Sequence, residues 1–218
     1  MNPGLTLALA PAAGWAAHSL ARRLTGACGP GPAPAMLLAM MAALSACLAA
    51  PSHQPSAAGL CLGWVLTALA LSDLAAMRLP DALTLPLTGA GLAVAAFALA
   101  DIPLRPALSL ETLGAHAAGA AAGYLAFAAV ALVYRRVRGR DGLGLGDAKL
   151  AAAAGAWLGW RPLPLMVLLA CGLAFAWIAV RIVLEQRAAL NRPIAFGAPL
   201  ALAIWLCWLT RADLWFGL

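Results

Sequence analysis

Apolar stretches close to the length of a membrane span recur along almost the whole chain, separated by short connectors that carry the prolines and arginines. A helix rises about 1.5 Å per residue, so about twenty such residues cross the roughly 30 Å of hydrocarbon in a bilayer. Within that hydrocarbon the backbone must satisfy its own hydrogen bonds, which makes helices the element these runs can form. We expect about eight spans, over 4–21, 35–50, 59–77, 83–100, 112–134, 148–160, 163–184 and 195–210. The expected fold is all-α, a polytopic membrane helix bundle that forms one domain over 1–218 with no separate soluble part. Only 10% of the residues are charged and 64% are hydrophobic, whereas soluble domains carry about 25% charged residues. The sixth span is short, and a short span requires burial within protein or a locally thinned bilayer. The first apolar run has no basic region before it, so it reads as a retained span rather than a cleaved signal.

The arginines and lysines orient the bundle. With the N-terminus outside, inner loops and helix ends hold Arg22, Arg23, Arg78, Arg135, Arg136, Arg138, Arg140, Lys149, Arg181, Arg187 and Arg192. The outer side holds Arg105, Arg161 and Arg211, a bias of 11 against 3 toward the cytoplasm. This placement at the ends of apolar segments accounts for the net charge of +6 through anionic membrane lipid, with no nucleic-acid partner implied. Five cysteines form no CxxC pair, and four of them lie in apolar runs, so neither a zinc site nor a disulfide framework is legible. His18, His53 and His116 do not cluster, and His116 reads as a hydrogen-bonded packing residue of the fifth span.

Two acids stand out against this background. A carboxylate inside a bilayer costs roughly 2.5–3.5 kcal/mol on insertion scales, so it is kept for function. Asp73 closes the third span, in SDLAAMRLPDALTLPL, and Asp147 opens the sixth, in GLGLGDAKL. The third span runs inward and the sixth outward, so both acids are expected at similar depth near the cytoplasmic face. Asp147 at a helix start meets the positive end of the helix dipole, and Asp73 near a helix end does not. Two carboxyls in unlike surroundings can share one proton, one serving as base toward a water and the other as acid toward a carbonyl. Gly142, Gly144 and Gly146 precede Asp147, and a strip without side chains suits backbone pairing with an extended peptide. Leu79-Pro80-Asp81 is expected to break the helix after Asp73, because the residue before proline disfavours α geometry. Asp81 reads as a cap for the fourth span or as a substrate contact.

With these residues in place, the chain resembles the type IV prepilin peptidases, aspartyl proteases of the GxGD type. In that family a D-x7-D segment ending in (I/L)PD-x-LT-x-P precedes GxGD-x-KL. Asp73 to Pro86 resembles the first block, and Gly144, Gly146, Asp147, Lys149 and Leu150 resemble the second. AAAAGAWLGW and RPIAFGAPLALA are similar to the family's later blocks, so the likeness covers roughly 59–210, the expected catalytic core. The resemblance implies an endopeptidase that removes the short basic leader of prepilins or pseudopilins at the cytoplasmic face. It names Asp73 and Asp147 as the catalytic pair acting on a water, with no metal, organic cofactor or covalent intermediate required.

Gly144, Gly146, Asp81, Asp141 and Lys149 are the candidate substrate-binding residues, with Asp81, Asp141 and Glu185 the ones suited to a basic leader. Asp141 stands where the family usually carries Glu. Many members also have an N-methyltransferase domain with paired CxxC sites between the first two spans. Here that connector, GACGPGPAPA, is short and holds only Cys28, so a short form without the methylase is expected. The competing reading of the two acids is a proton relay in a transporter or channel.

Overall fold

The computed structural model describes residues 57–100, 106–139, 142–185 and 195–210, with scattered helical positions between 11 and 23. Within the described residues the chain is helical, with six helices after position 56: α1 (Ala57–Ala76), α2 (Asp81–Ala100), α3 (Pro106–Arg138), α4 (Leu145–Leu158), α5 (Leu163–Glu185) and α6 (Gly197–Leu209). Each matches one of the last six expected spans. The expected spans over 4–21 and 35–50 lie largely outside the described residues. Among the described residues three stretches are long and apolar enough to cross a membrane: Ala58–Ala76, Glu111–Arg138 and Leu163–Val183. Among the described residues α2 and α6 contribute shorter apolar stretches, Asp81–Phe97 and Gly197–Leu209.

The short α4 is buried in protein, one of the two arrangements its length allows. Asp147, Ala148, Leu150, Ala151, Ala153, Ala154, Gly155 and Ala156 are all buried, so nearly every face of α4 meets another helix. Its small residues allow this. Membrane helices gain little from excluding lipid, so close backbone contact and interhelical hydrogen bonds hold them together. A Cβ on Gly155 would lie 2.1 Å from the carbonyl carbon and oxygen of Gly119 in α3, and one on Gly123 would lie 2.4 Å from the Ala151 oxygen. Two polar side chains complete the clamp: the His116 Nδ1 is 2.8 Å from the Ala156 carbonyl oxygen, and Trp157 Nε1–H donates to the Leu87 oxygen at 2.9 Å. His116 therefore ties α3 to α4, in keeping with its reading as a hydrogen-bonded packing residue.

On the other side, α1 and α6 pack antiparallel through aromatic-on-glycine contacts. Trp205 and Trp208 stack with ring centroids 5.3 Å apart. Their rings occupy the space that side chains at Gly63 and Gly59 would fill. Leu62, Leu66 and Leu69 of α1 join Leu150 of α4, Met166 of α5 and Leu200 and Ile204 of α6 in a single apolar core. The outward faces of α3 and α5 carry exposed Leu125, Val130, Leu168 and Phe175, the apolar surface a lipid-facing helix presents. The C-terminal end of α1 and the N-terminal ends of α4 and α6 thus converge at one end of the bundle.

Candidate active site

The turn between α1 and α2 builds one wall of this end. Helix α1 stops at Ala76, three residues before the Leu79-Pro80 step expected to break it. The cause is Met77, whose φ of 51° is left-handed, while its N–H donates to the Asp73 oxygen at 2.8 Å. A left-handed residue after a helix closes the last turn, a position glycine usually fills. Arg78, Leu79 and Pro80 then run outside any helix, and α2 begins at Asp81 with the N–H groups of Leu83 and Thr84 donating to the Pro80 oxygen. Asp81 stands in the first turn of α2, where a negative charge complements the dipole.

Asp73 is buried at 5% exposure and Asp147 at 8%. Burial of carboxyls without compensation is costly, and each has backbone donors. The Asp73 Oδ2 accepts the N–H of Ala198 at 3.0 Å, and the Gly197 N–H also bonds this carboxyl. The N-terminus of α6 therefore points its unpaired amides at Asp73, as helix N-termini do toward anionic groups. Gly197 makes the approach feasible, since a Cβ there would sit 2.9 Å from Asp73 Cγ and Oδ2. Asp147 is the third residue of α4, whose N-cap is Gly144. Its carboxyl accepts the Gly144 N–H while its own N–H donates to the Gly144 oxygen at 3.1 Å. That is the reaching-back half of a capping box.

The two carboxyls meet at one cleft of about 510 Å³, lined by Asp73 and Asp147 together with Leu79, Asp81, Gly144 and Phe196, among others. Both acids line its wall, Asp73 from the end of α1 and Asp147 from the start of α4. Met77, Leu143 and Phe196 also border the space, so acidic oxygens and apolar side chains share its wall. Such an arrangement can hold a water between two carboxyls and an apolar chain beside it.

The remaining candidates fall around this cleft in different ways. Lys149 Nζ donates to both oxygens of Asp81, at 2.6 and 2.7 Å, joining the start of α2 to the second turn of α4. Asp81 thus bridges the two motifs. Gly146 and Gly144 differ in what they permit. A Cβ on Gly146 would press on Leu79 at 3.0 Å, whereas one on Gly144 would find only ordinary contacts, 3.6 Å or more away. Gly142 faces the ring of Tyr134 from α3. Asp141 lies outside the described residues, and Glu185 ends α5. Sequence reasoning missed Gly197, Ala198 and Phe196 as site residues; only the likeness of the RPIAFGAPLALA block pointed toward them.

Comparison with known proteins bears on residues 60–180, which match the model of the type IV leader peptidase family. Relatives named prepilin leader peptidase/N-methyltransferase include one from Aeromonas hydrophila, 39% identical over 175 residues that make up 80% of this chain and 56% of the relative. One from Dickeya chrysanthemi is 40% identical over 77% of this chain and 56% of its own length. A third, from Pseudomonas aeruginosa, is 38% identical over 67% of this chain and 47% of its own length. The chain thus spans about half the length of the curated relatives it matches. No solved structure matches it.

Proposed function

The chain belongs to the type IV leader peptidase family, and from that premise we propose that it is an aspartyl endopeptidase removing the basic leader from prepilins or pseudopilins. The observation that carries this reading is the meeting of Asp73 and Asp147, far apart in sequence, at one cleft end of the bundle. A water held between them loses a proton to one carboxylate as its oxygen attacks the peptide carbonyl. The other carboxyl, protonated, donates to the carbonyl oxygen. Collapse of the tetrahedral intermediate then breaks the C–N bond, with the proton passing to the departing amine. Positioned acid–base catalysis of this kind contributes roughly 10²–10⁴ in rate.

The surroundings support the substrate class. Met77, Leu143 and Phe196 suit the apolar segment that follows a pilin leader, and Gly144, without a side chain, leaves room for its backbone. Asp81 and Asp141 are the acids we assign to the leader's positive charge. The cleft opens at the end of α3 that carries Arg135, Arg136 and Arg138, and the positive-inside rule assigns that end to the cytoplasm. We expect Gly142–Gly146 to move as substrate is enclosed, because α1 and α4 must close around it.

The test is incubation of the purified chain, in detergent or liposomes, with a full-length prepilin. We expect one cut directly after the leader's last glycine, read by mass spectrometry, and no methyl group added to the product when S-adenosylmethionine is supplied. An uncut prepilin, with proton flux through liposomes holding the protein, would overturn the reading in favour of a relay.

A further inference from the structure

We propose that Leu79 is a positioning residue for the aspartate pair: its side chain, wedged between Gly146 and Gly197, sets the spacing of Asp147 and Asp73. The inference rests on the proteolytic reading for its rate measurements and on packing geometry alone for its structural one.

Leu79 belongs to the non-helical turn between α1 and α2, yet it contacts two other helices. A Cβ built on Gly146 would lie 3.0 Å from Leu79 Cβ, 3.5 Å from its Cδ1 and 3.6 Å from its Cγ. A Cβ built on Gly197 would lie 3.0 Å from the Leu79 Cδ1. One leucine therefore fills the gap between the first turn of α4 and the first turn of α6. Both sockets adjoin the reacting groups. Gly146 immediately precedes Asp147, while Gly197 and Ala198 hold the Asp73 carboxyl through their N–H groups.

The wedge has little freedom. Pro80 confines the Leu79 backbone to extended angles, and the left-handed Met77 fixes the turn upstream. The sockets themselves are backbone, which cannot rotate away as a side chain can. Close-packed interiors pass such displacements on, so a change in the volume of Leu79 moves α4 against α6 and one aspartate against the other. Misplacement by about 1 Å can cost roughly 10²-fold in rate. A second consequence follows for the GxGD motif: the glycine before Asp147 is there to admit Leu79.

The experiment is a double-mutant cycle on the full chain with prepilin as substrate. Gly146→Ala pushes on Leu79 and is expected to lower kcat roughly 10²-fold with KM changed less than threefold. Leu79→Ala alone is expected to lower kcat about tenfold, and the pair Gly146→Ala/Leu79→Ala to lose less than the product of the two single losses, because without Cγ and Cδ1 the residue is no longer held against Gly197 and yields to the added methyl. Leu79→Met, which conserves volume, is expected to retain most of the wild-type rate. Losses that simply multiply in the double variant, or changes confined to KM, would overturn the proposal while leaving the protease reading intact. A wild type that fails to cut prepilin would instead remove the protease reading. The spacing is then read without activity, from thiol cross-linking of Asp73→Cys/Asp147→Cys with reagents of graded length in a background without native cysteines. Leu79→Ala is expected to change the preferred length, and an unchanged preference would overturn the proposal.

Discussion

The backbone N–H of Ala198 lies 3.0 Å from the Asp73 Oδ2, a hydrogen bond that joins positions 125 residues apart. It fixes the orientation of a buried carboxyl with a main-chain group that every residue but proline supplies. Ala198→Pro does remove it, replacing the N–H with a ring methylene against the carboxylate. The first turn of a helix tolerates proline, so membrane levels should be retained. We expect cleavage to fall at least tenfold, measured as kcat on prepilin; an unchanged kcat would show that this donor does not orient Asp73 for the reaction.

Contacts between α3 and α4 set the position of Asp147 from behind. In Gly155→Ala the new methyl meets the Gly119 backbone, and overpacking of this kind typically costs about 1–3 kcal/mol. A Cβ on Gly172 meets nothing within 4 Å. Gly172→Ala should therefore be neutral or stabilising by up to about 1 kcal/mol, the gain of alanine over glycine in a helix. Thermal unfolding of both variants in detergent measures the contrast.

The left-handed Met77 carries strain that glycine would relieve. Left-handed geometry costs a non-glycine residue roughly 1–2 kcal/mol, partly offset by the greater freedom glycine loses on folding. Met77→Gly should raise the unfolding midpoint slightly, whereas Met77→Val should lower it. The same midpoints in the opposite order would contradict the strain.

Asp81 and Lys149 form a partly exposed ion pair across the cleft rim. Such pairs are worth about 0.2–1 kcal/mol, so Lys149→Met should change stability little. If Asp81 also meets the leader's positive charge, Asp81→Asn raises KM for prepilin more than it lowers stability, and added salt narrows the difference from wild type. Equal KM values for Asp81→Asn and the wild type would remove Asp81 from substrate binding.

Much of this architecture was legible in the residues. Span counting from the arginines puts Asp73 and Asp147 at one face, and the helices that carry them do meet there. The third and seventh expected spans, 59–77 and 163–184, lie within a few residues of α1 and α5. The short sixth span narrows the choice to burial in protein or a thinned bilayer, and the small residues around α4 take the first. Other features carry no local mark. The amides of Gly197 and Ala198 are backbone groups with no side-chain signature, and their target is set by Trp205 and Trp208 packing on Gly63 and Gly59. Met77 is an ordinary residue for a helix end until its φ is known. Gly146 and Gly144 look alike in the motif, and only the arrival of Leu79 from a distant turn distinguishes them.

The central claim is that Asp73 and Asp147 act together on one water, and the kinetics of Asp73→Asn, Asp147→Asn and the double variant test it most directly. Each single change should reduce kcat/KM on prepilin at least about 10³-fold, with normal membrane levels, and the double variant should be no worse than either single one, as for groups that act as a unit. Substantial cleavage by either single variant, or losses that multiply in the double variant, would contradict it.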